Sequence, residues 1–168
     1  MRRSIFIVAL LGALASSAVA VATSNTTVTT HSTSRGKILS TSRGLSLYMR
    51  SNDKQGGKGR APKSTCNGRC AKTWPPLLVQ KGGKAVSADG VNQKLLGTAR
   101  RTDGSTQVTY NGWPLYTNAS DFKARTVTGE GVAQFGGRWY LLTTKCQEVR
   151  GCLPGYRMTT AGCLTQHY

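Results

Sequence analysis

Gln107 to Asp121, QVTYNGWPLYTNASD, constrains the fold more than any other stretch of the chain. Two runs of strand character flank Asn111-Gly112. A type I′ turn needs positive φ at both central residues, and Asn-Gly meets that demand. The stretch therefore reads as a tight hairpin. Tyr110 and Trp113 flank the turn as a hydrogen-bonded pair, and Thr109 faces Pro114 as a non-hydrogen-bonded pair. At the second kind of site the N–H points away from the partner strand. Pro114 has no N–H, so the second strand is expected to be an edge, at least near Pro114. A fainter copy lies at Gly44 to Asp53, GLSLYMRSND. Gly44/Gly112, Leu47/Leu115, Tyr48/Tyr116 and Asp53/Asp121 stand at matching offsets.

Alternation with period two separates the faces of these strands. Trp113, Leu115 and Thr117 share one face; Pro114, Tyr116 and Asn118 share the other. In the first copy Leu45, Leu47 and Met49 oppose Ser46, Tyr48 and Arg50. The leucine face is expected to form the core. The tyrosines are expected to be half-buried, and Trp74, Trp113 and Trp139 to be core residues.

Residues 1–22 read as a secretory signal peptide: Arg2-Arg3, an apolar run from Ile5 to Ala15, then a small-residue cleavage site. The apolar run is too short for a convincing membrane span, so none is expected after cleavage. Residues 23–36 are Ser/Thr-rich without apolar periodicity and read as a flexible leader, with His31 solvated. Residues 37–145 form one domain, long enough to hold a core. It contains two repeats, about 37–79 and 94–144, and residues 146–168 form a Cys-containing tail. Lys37 to Arg50 gives the first hairpin, turning at Ser42-Arg43-Gly44, and Asn52 to Thr65 is a polar loop. Pro75-Pro76 imposes an extended path. Gln80 to Gly90 is a second loop. Lys94 to Arg101, Ser105 to Tyr110 and Trp113 to Asn118 form a three-strand meander, and Arg138 to Thr144 is the last strand. The fold class is mainly β: two related antiparallel hairpin repeats in one compact domain, with little helix.

The chain carries 23 basic and 6 acidic residues, a net charge of +17. Such a surplus favours anionic partners: an envelope polymer or lipid headgroups, with nucleic acid bound only non-specifically. Between Lys54 and Lys84 the sequence places Lys54, Lys58, Arg60, Lys63, Arg69, Lys72, Lys81 and Lys84, and no acidic residue. These eight are the candidate polyanion contact.

Five cysteines in an exported chain point to disulfides. The pairing expected is Cys66–Cys70 plus one pair within the tail, for which Cys152–Cys163 is chosen. Spacing alone leaves open which of Cys146, Cys152 and Cys163 is unpaired. Cys66 and Cys70 lack the C-x-x-C spacing of thioredoxin-type redox sites, and no paired zinc-ligand spacing involves His31 or His167. No metal or cofactor is expected.

The order Leu-Tyr-x₄-Asp, Cys-x₃-Cys-Ala-x-x-Trp-Pro-Pro-Leu, Arg-x-x-Asp-Gly-x-x-Gln-Val-Thr-Tyr-Asn-Gly-x-Pro-Leu-Tyr-x₄-Asp, Gly-x-Gly and Trp-Tyr covers about Lys37 to Thr144. It resembles a bacterial secreted-repeat family of predicted lipoproteins with a Tyr-x-(Phe/Trp/Tyr)-x-x-Asp motif. The block from Gln107 to Tyr116 carries most of the specificity. The resemblance implies an exported, envelope-associated protein and no activity that can be carried over. Tyr48, Asp53, Tyr116 and Asp121 match the motif, while Arg50 and Asn118 stand where the family has an aromatic residue. The Cys-containing tail and the lack of a Cys near the cleavage site also depart from the family. They favour a secreted, periplasmic or wall-bound form over a lipid-anchored one.

The function class expected is a non-enzymatic binding protein of the envelope or extracellular space, using basic loops. One alternative is an envelope redox or metal carrier using Cys66/Cys70, Met49 or the histidines. Another is a carboxylate-dependent hydrolase in which the repeats bring Asp53 and Asp121 together. No base, nucleophile or metal set accompanies the two carboxylates. Each follows a strand where a turn can use it as an acceptor of backbone N–H groups.

Overall fold

The computed structural model describes residues 24–33 and 36–144, together with the backbone of two antiparallel paired strands, Tyr156–Met158 and Leu164–Gln166. The signal peptide and Cys146, Cys152 and Cys163 lie outside the described residues.

The main body contains nine strands: β1 (Thr26–Thr33), β2 (Gly36–Thr41), β3 (Tyr48–Arg50), β4 (Ala85–Ser87), β5 (Leu96–Arg100), β6 (Thr106–Tyr110), β7 (Trp113–Pro114), β8 (Ala133–Gln134) and β9 (Gly137–Leu141). Among the described residues helix is confined to α1 (Arg69–Thr73) and a single 3-10 turn at Gln93–Leu95. The mainly β expectation holds. Sheets run β2-β1-β4, β3-β9-β8 and β5-β6-β7.

The second hairpin forms as its turn chemistry requires. Asn111 and Gly112 take φ of 46° and 78°. Tyr110 pairs with Trp113 and Thr109 with Pro114, and β7 ends its sheet. Glycine at 112 is demanded twice, by its positive φ and because a Cβ there would lie 2.3 Å from the Gly56 carbonyl oxygen. In the first hairpin Gly44 has φ 80°, and its N–H bonds the Thr41 carbonyl at 2.8 Å.

The two hairpins exchange their closing strands. The segment after Trp74 belongs in sequence to the first repeat, yet it bonds the second hairpin: Leu77 N to Leu115 O at 2.9 Å, and Val108 N to Leu77 O at 2.8 Å. β9 and its continuation belong to the second repeat and bond the first hairpin. Tyr48 pairs with Leu141, and Leu39 N bonds Leu142 O at 2.7 Å. The hairpins themselves meet where Tyr48 and Tyr116 bond N–H to O in both directions, at 2.8 and 2.9 Å. An approximate two-fold relation therefore passes between these tyrosines.

Both strand faces are core. Leu47, Met49, Trp113 and Leu115 pack with Val28, Leu39, Val108 and Leu142, as the leucine face predicts. The opposite face buries Tyr48 and Tyr116 with Trp74, Trp139, Ile38 and Leu141. The half-buried expectation for the tyrosines is thus corrected: both are 0% exposed. A buried phenol needs a partner for its O–H, and each tyrosine has one, described below.

The supposed flexible leader is a second correction. Residues 26–33 form β1, antiparallel to β2 and parallel to β4. The threonines that looked like linker composition are β-branched, and their hydroxyls find partners: Thr26 Oγ1 bonds Leu78 O at 3.0 Å and Thr29 Oγ1 bonds Asp89 Oδ2 at 2.5 Å. His31 is consequently buried rather than solvated. The loop expected at Gln80 to Gly90 contains β4, held against β1 by Thr26 N to Lys84 O at 2.8 Å.

Candidate functional site

The motif residues meet across the repeat boundary. The Tyr48 phenol donates to Asp121 Oδ2 at 2.7 Å, and the Tyr116 phenol donates to Asp53 Oδ2 at 2.5 Å. The other oxygen of each carboxyl pins a loop. Asp53 Oδ1 accepts from Thr65 N and Oγ1 at 2.8 and 2.7 Å, and Asp121 Oδ1 accepts from Thr128 N and Oγ1 at 3.0 and 2.6 Å. Each Asp therefore ties the loop of its own repeat to the tyrosine of the other.

Stacked beneath these pairs are two indoles. Trp74 and Trp139 lie parallel, with ring centroids 4.0 Å apart. Tyr48 meets Trp74 edge-on at 5.3 Å, and Tyr116 meets Trp139 edge-on at 5.1 Å. Such geometry suits the ring quadrupoles. A Cβ on Gly129 would come within 2.6 Å of Trp74 and 2.8 Å of Tyr48, so this backbone approach requires glycine.

A buried arginine extends the second pair. Arg101 donates to Ser64 Oγ and Gln107 Oε1, both at 2.7 Å, and to the Cys66 carbonyl at 2.8 Å. Ser64 Oγ lies 2.7 Å from the Tyr116 oxygen. Because the Tyr116 O–H is used on Asp53, Ser64 donates to Tyr116 while accepting from Arg101. Arg50 is buried as well. Its guanidinium sits 5.8 Å from the Trp139 ring centroid, 4.0 Å from Asp53 Oδ1, and bonds Thr65 Oγ1 and the Phe135 carbonyl. Asn118 bonds Thr128 Oγ1 at 3.0 Å.

Burial sets the electrostatics of these groups. It raises the Tyr48 phenol above its ordinary range, and the carboxyl of Asp121 adds to the effect. Burial and the Asp53 charge do the same to Tyr116. Burial also raises the Asp53 carboxyl, against the hydrogen bonds from Tyr116 and Thr65 and the charge of Arg50. The two carboxyls are 2% exposed, with both oxygens of each bonded. They hold separate loops, and their hydrogen bonds join the repeats.

The basic residues singled out from the sequence are all exposed: Lys54, Lys58, Arg60, Lys63, Arg69, Lys72, Lys81 and Lys84. Four of them share a two-stranded ribbon within the supposed loop. Lys54 and Lys63 bond N–H to O both ways at 2.9 and 3.0 Å, and Gly57 and Arg60 repeat the pattern nearer the tip. Arg69 and Lys72 lie on α1, and Lys81 and Lys84 on the loop before β4. The Cys66–Cys70 disulfide forms as expected, with Cα atoms 5.2 Å apart; the Cys152–Cys163 expectation lies outside the described residues. No helix among the described residues is long and apolar enough to cross a membrane.

Residues 29–78 and 97–143 match the model of the secreted repeat of unknown function. The chain belongs to this family. Two repeats are matched, as the paired hairpins require, and the first begins within β1. No curated protein and no solved structure matches the chain. The family description carries secretion and repetition and assigns no activity.

Sequence reasoning missed Thr65, Thr128, Ser64 and Arg101. A hydroxyl residue some way after an Asp is too common to stand out, and Arg101 looks like one more surface charge in a basic chain. The exchange of closing strands had no local signal, because the same hydrogen bonds serve either connection.

Proposed function

We propose that the protein is a non-enzymatic binding module of the cell envelope or extracellular space, which engages an anionic surface or polymer through its basic loops and is not lipid-anchored. The observation that carries this reading is the ribbon from Lys54 to Lys63. Its two end lysines stand directly opposite each other as an antiparallel pair, Lys58 and Arg60 lie near its tip, and all four are exposed. Like charges placed opposite each other in a ladder oppose pairing. Among the described residues no Asp or Glu makes an ion pair with any of the four. A bound polyanion relieves that repulsion and releases its own counterions.

The Tyr–Asp pairs support the non-enzymatic half of the reading, since their acceptors are used in joining the repeats. Co-sedimentation with anionic vesicles and retention on heparin, each at low and high salt, test the proposal. Binding should weaken steeply with salt, and reversing Lys54, Lys58, Arg60 and Lys63 to Glu should abolish most of it. Binding that ignores salt, or survives the fourfold reversal unchanged, overturns the proposal.

A further inference from the structure

Two surface depressions meet across β5, the terminal strand of its sheet. The larger, about 640 Å³, lies between the loop at Lys81 to Lys84 and residues 96–98. The smaller, about 290 Å³, runs from residues 96–98 to Gly56, Gly57 and Pro62 of the basic ribbon. Leu96, Gly97 and Thr98 line both, so the two are halves of one groove. Lys81 and Lys84 line the larger half, and exposed Lys94 lines the smaller half, which the ribbon bearing Lys58 and Arg60 also borders. Positive charge is thus spread along a track rather than gathered at a point.

The lining decides the class of ligand. Among the described residues neither half is lined by an Asp, a Glu or an aromatic side chain. Nucleic-acid bases are held in such grooves by stacking on aromatics, and none is offered. Ring sugars likewise lack a flat apolar face to rest on. The groove offers the Thr98 and Thr106 hydroxyls, that of Ser105 being donated to Asp103, and glycines that let a ligand approach the main chain closely. This set matches a flexible chain carrying a charge and free hydroxyls in every unit.

We propose that the groove across β5 binds a linear polyol phosphate, an acyclic chain of alcohol-bearing units joined by phosphodiesters. The proposal rests on the polyanion reading above and names its ligand class. Lys94 is the contact in the smaller half, beside the ribbon, and Lys81 and Lys84 are the contacts in the larger half.

The test uses the full secreted chain with poly(glycerol phosphate), heparin and single-stranded DNA, at about 50 mM and about 200 mM salt. Thr98→Tyr fills the groove without changing charge, at an exposed strand position that tolerates an aromatic. Lys94→Glu reverses the charge lining the smaller half, at an exposed turn. Lys123→Glu makes the same charge change outside the groove. Thermal melts of the three variants should match the wild type. Thr98→Tyr and Lys94→Glu should each weaken poly(glycerol phosphate) binding at least about tenfold, and Lys123→Glu by no more than about twofold. Thr98→Tyr should leave the weaker heparin and DNA binding within about twofold.

Wild-type-like polyol phosphate binding by folded Thr98→Tyr and Lys94→Glu, with salt-dependent binding of all three polymers intact, overturns the groove and leaves the basic-loop reading standing. Equal losses for all three polymers on Thr98→Tyr overturn the ligand class. Failure of the wild type to bind any of the three removes the basic-loop reading and the groove together.

Discussion

Tyr48 belongs to the first repeat, and its phenol donates at 2.7 Å to Asp121 of the second, 73 residues along the chain. Tyr116 and Asp53 make the reciprocal bond at 2.5 Å. Tyr48→Phe or Tyr116→Phe leaves a buried carboxyl oxygen without its partner, at a cost of about 1.5–3 kcal/mol. A double-mutant cycle on Tyr48→Phe and Asp121→Asn, read by denaturant unfolding, should show coupling of about 0.5–3 kcal/mol. The cycle on Tyr48→Phe and Asp53→Asn should couple less. The reverse order would mean that each Tyr acts on the Asp of its own repeat.

The two phenols also set an alkaline limit. Their folded pKa values lie above the ordinary 10.0, chiefly through burial. Their contribution to stability is therefore complete below about pH 10 and is lost as pH rises beyond it, because the unfolded chain gives up those protons first. In an absorbance titration at least two of the six tyrosines should ionise only together with unfolding. Ionisation of all six while the near-ultraviolet dichroism stays native would contradict the buried pairs.

His31 works on the acid side. Burial, with the charge of Arg125 second and opposed by Asp121, lowers its pKa below the ordinary 6.5, and neither ring nitrogen has a partner among the described residues. The unfolded chain takes up the proton first, so stability falls as pH drops below about 6.5. His31→Leu should flatten that part of the stability-against-pH curve. An unchanged slope would show that other groups carry it.

Glycine 112 and glycine 57 separate strain from collision. Both have positive φ, 78° and 130°, but a Cβ at residue 112 collides with the Gly56 backbone, while one at residue 57 meets nothing beyond its own chain neighbours. Gly57→Ala should cost about 1–2 kcal/mol, from conformation alone. Gly112→Ala should cost more than that and shift the ribbon. Equal melting temperatures for the two variants would mean that the Gly56 contact yields freely.

Cleavage of the backbone between Lys81 and Lys84 tests the strand exchange. The exposed loop there joins the repeats, while the closing strands bond across to the opposite hairpins. The two fragments should co-elute in native gel filtration and separate only in denaturant. Separation without denaturant would rule out an exchange that holds the halves together.

The legible parts of the fold were those written in local chemistry. Asn111-Gly112 gave its own turn, Pro114 gave its edge, and alternation placed Leu47 and Leu115 inward. The tyrosine face was misjudged because alternation marks Tyr48 and Tyr116 as polar-tipped. Only the distant Asp partners make their complete burial affordable. Thr26 to Thr33 was misjudged because threonine serves linkers and strands alike, and its strand partners β2 and β4 are not visible from the segment itself. The basic residues were visible as a charge run, but their split between a ribbon, a helix and a groove depends on how the loops fold back. Lys94 stands apart from that run, so charge density along the sequence does not mark it.

Crossed closing strands impose an order of events on a chain that is synthesised N-terminus first. The first hairpin lacks its partner until residues 137–143 have emerged, because β9 and its continuation complete it. Pairing across such a separation is slow to form. Most of the domain must therefore have emerged before either half can lock, so its final closure waits for β9 and the residues that follow it.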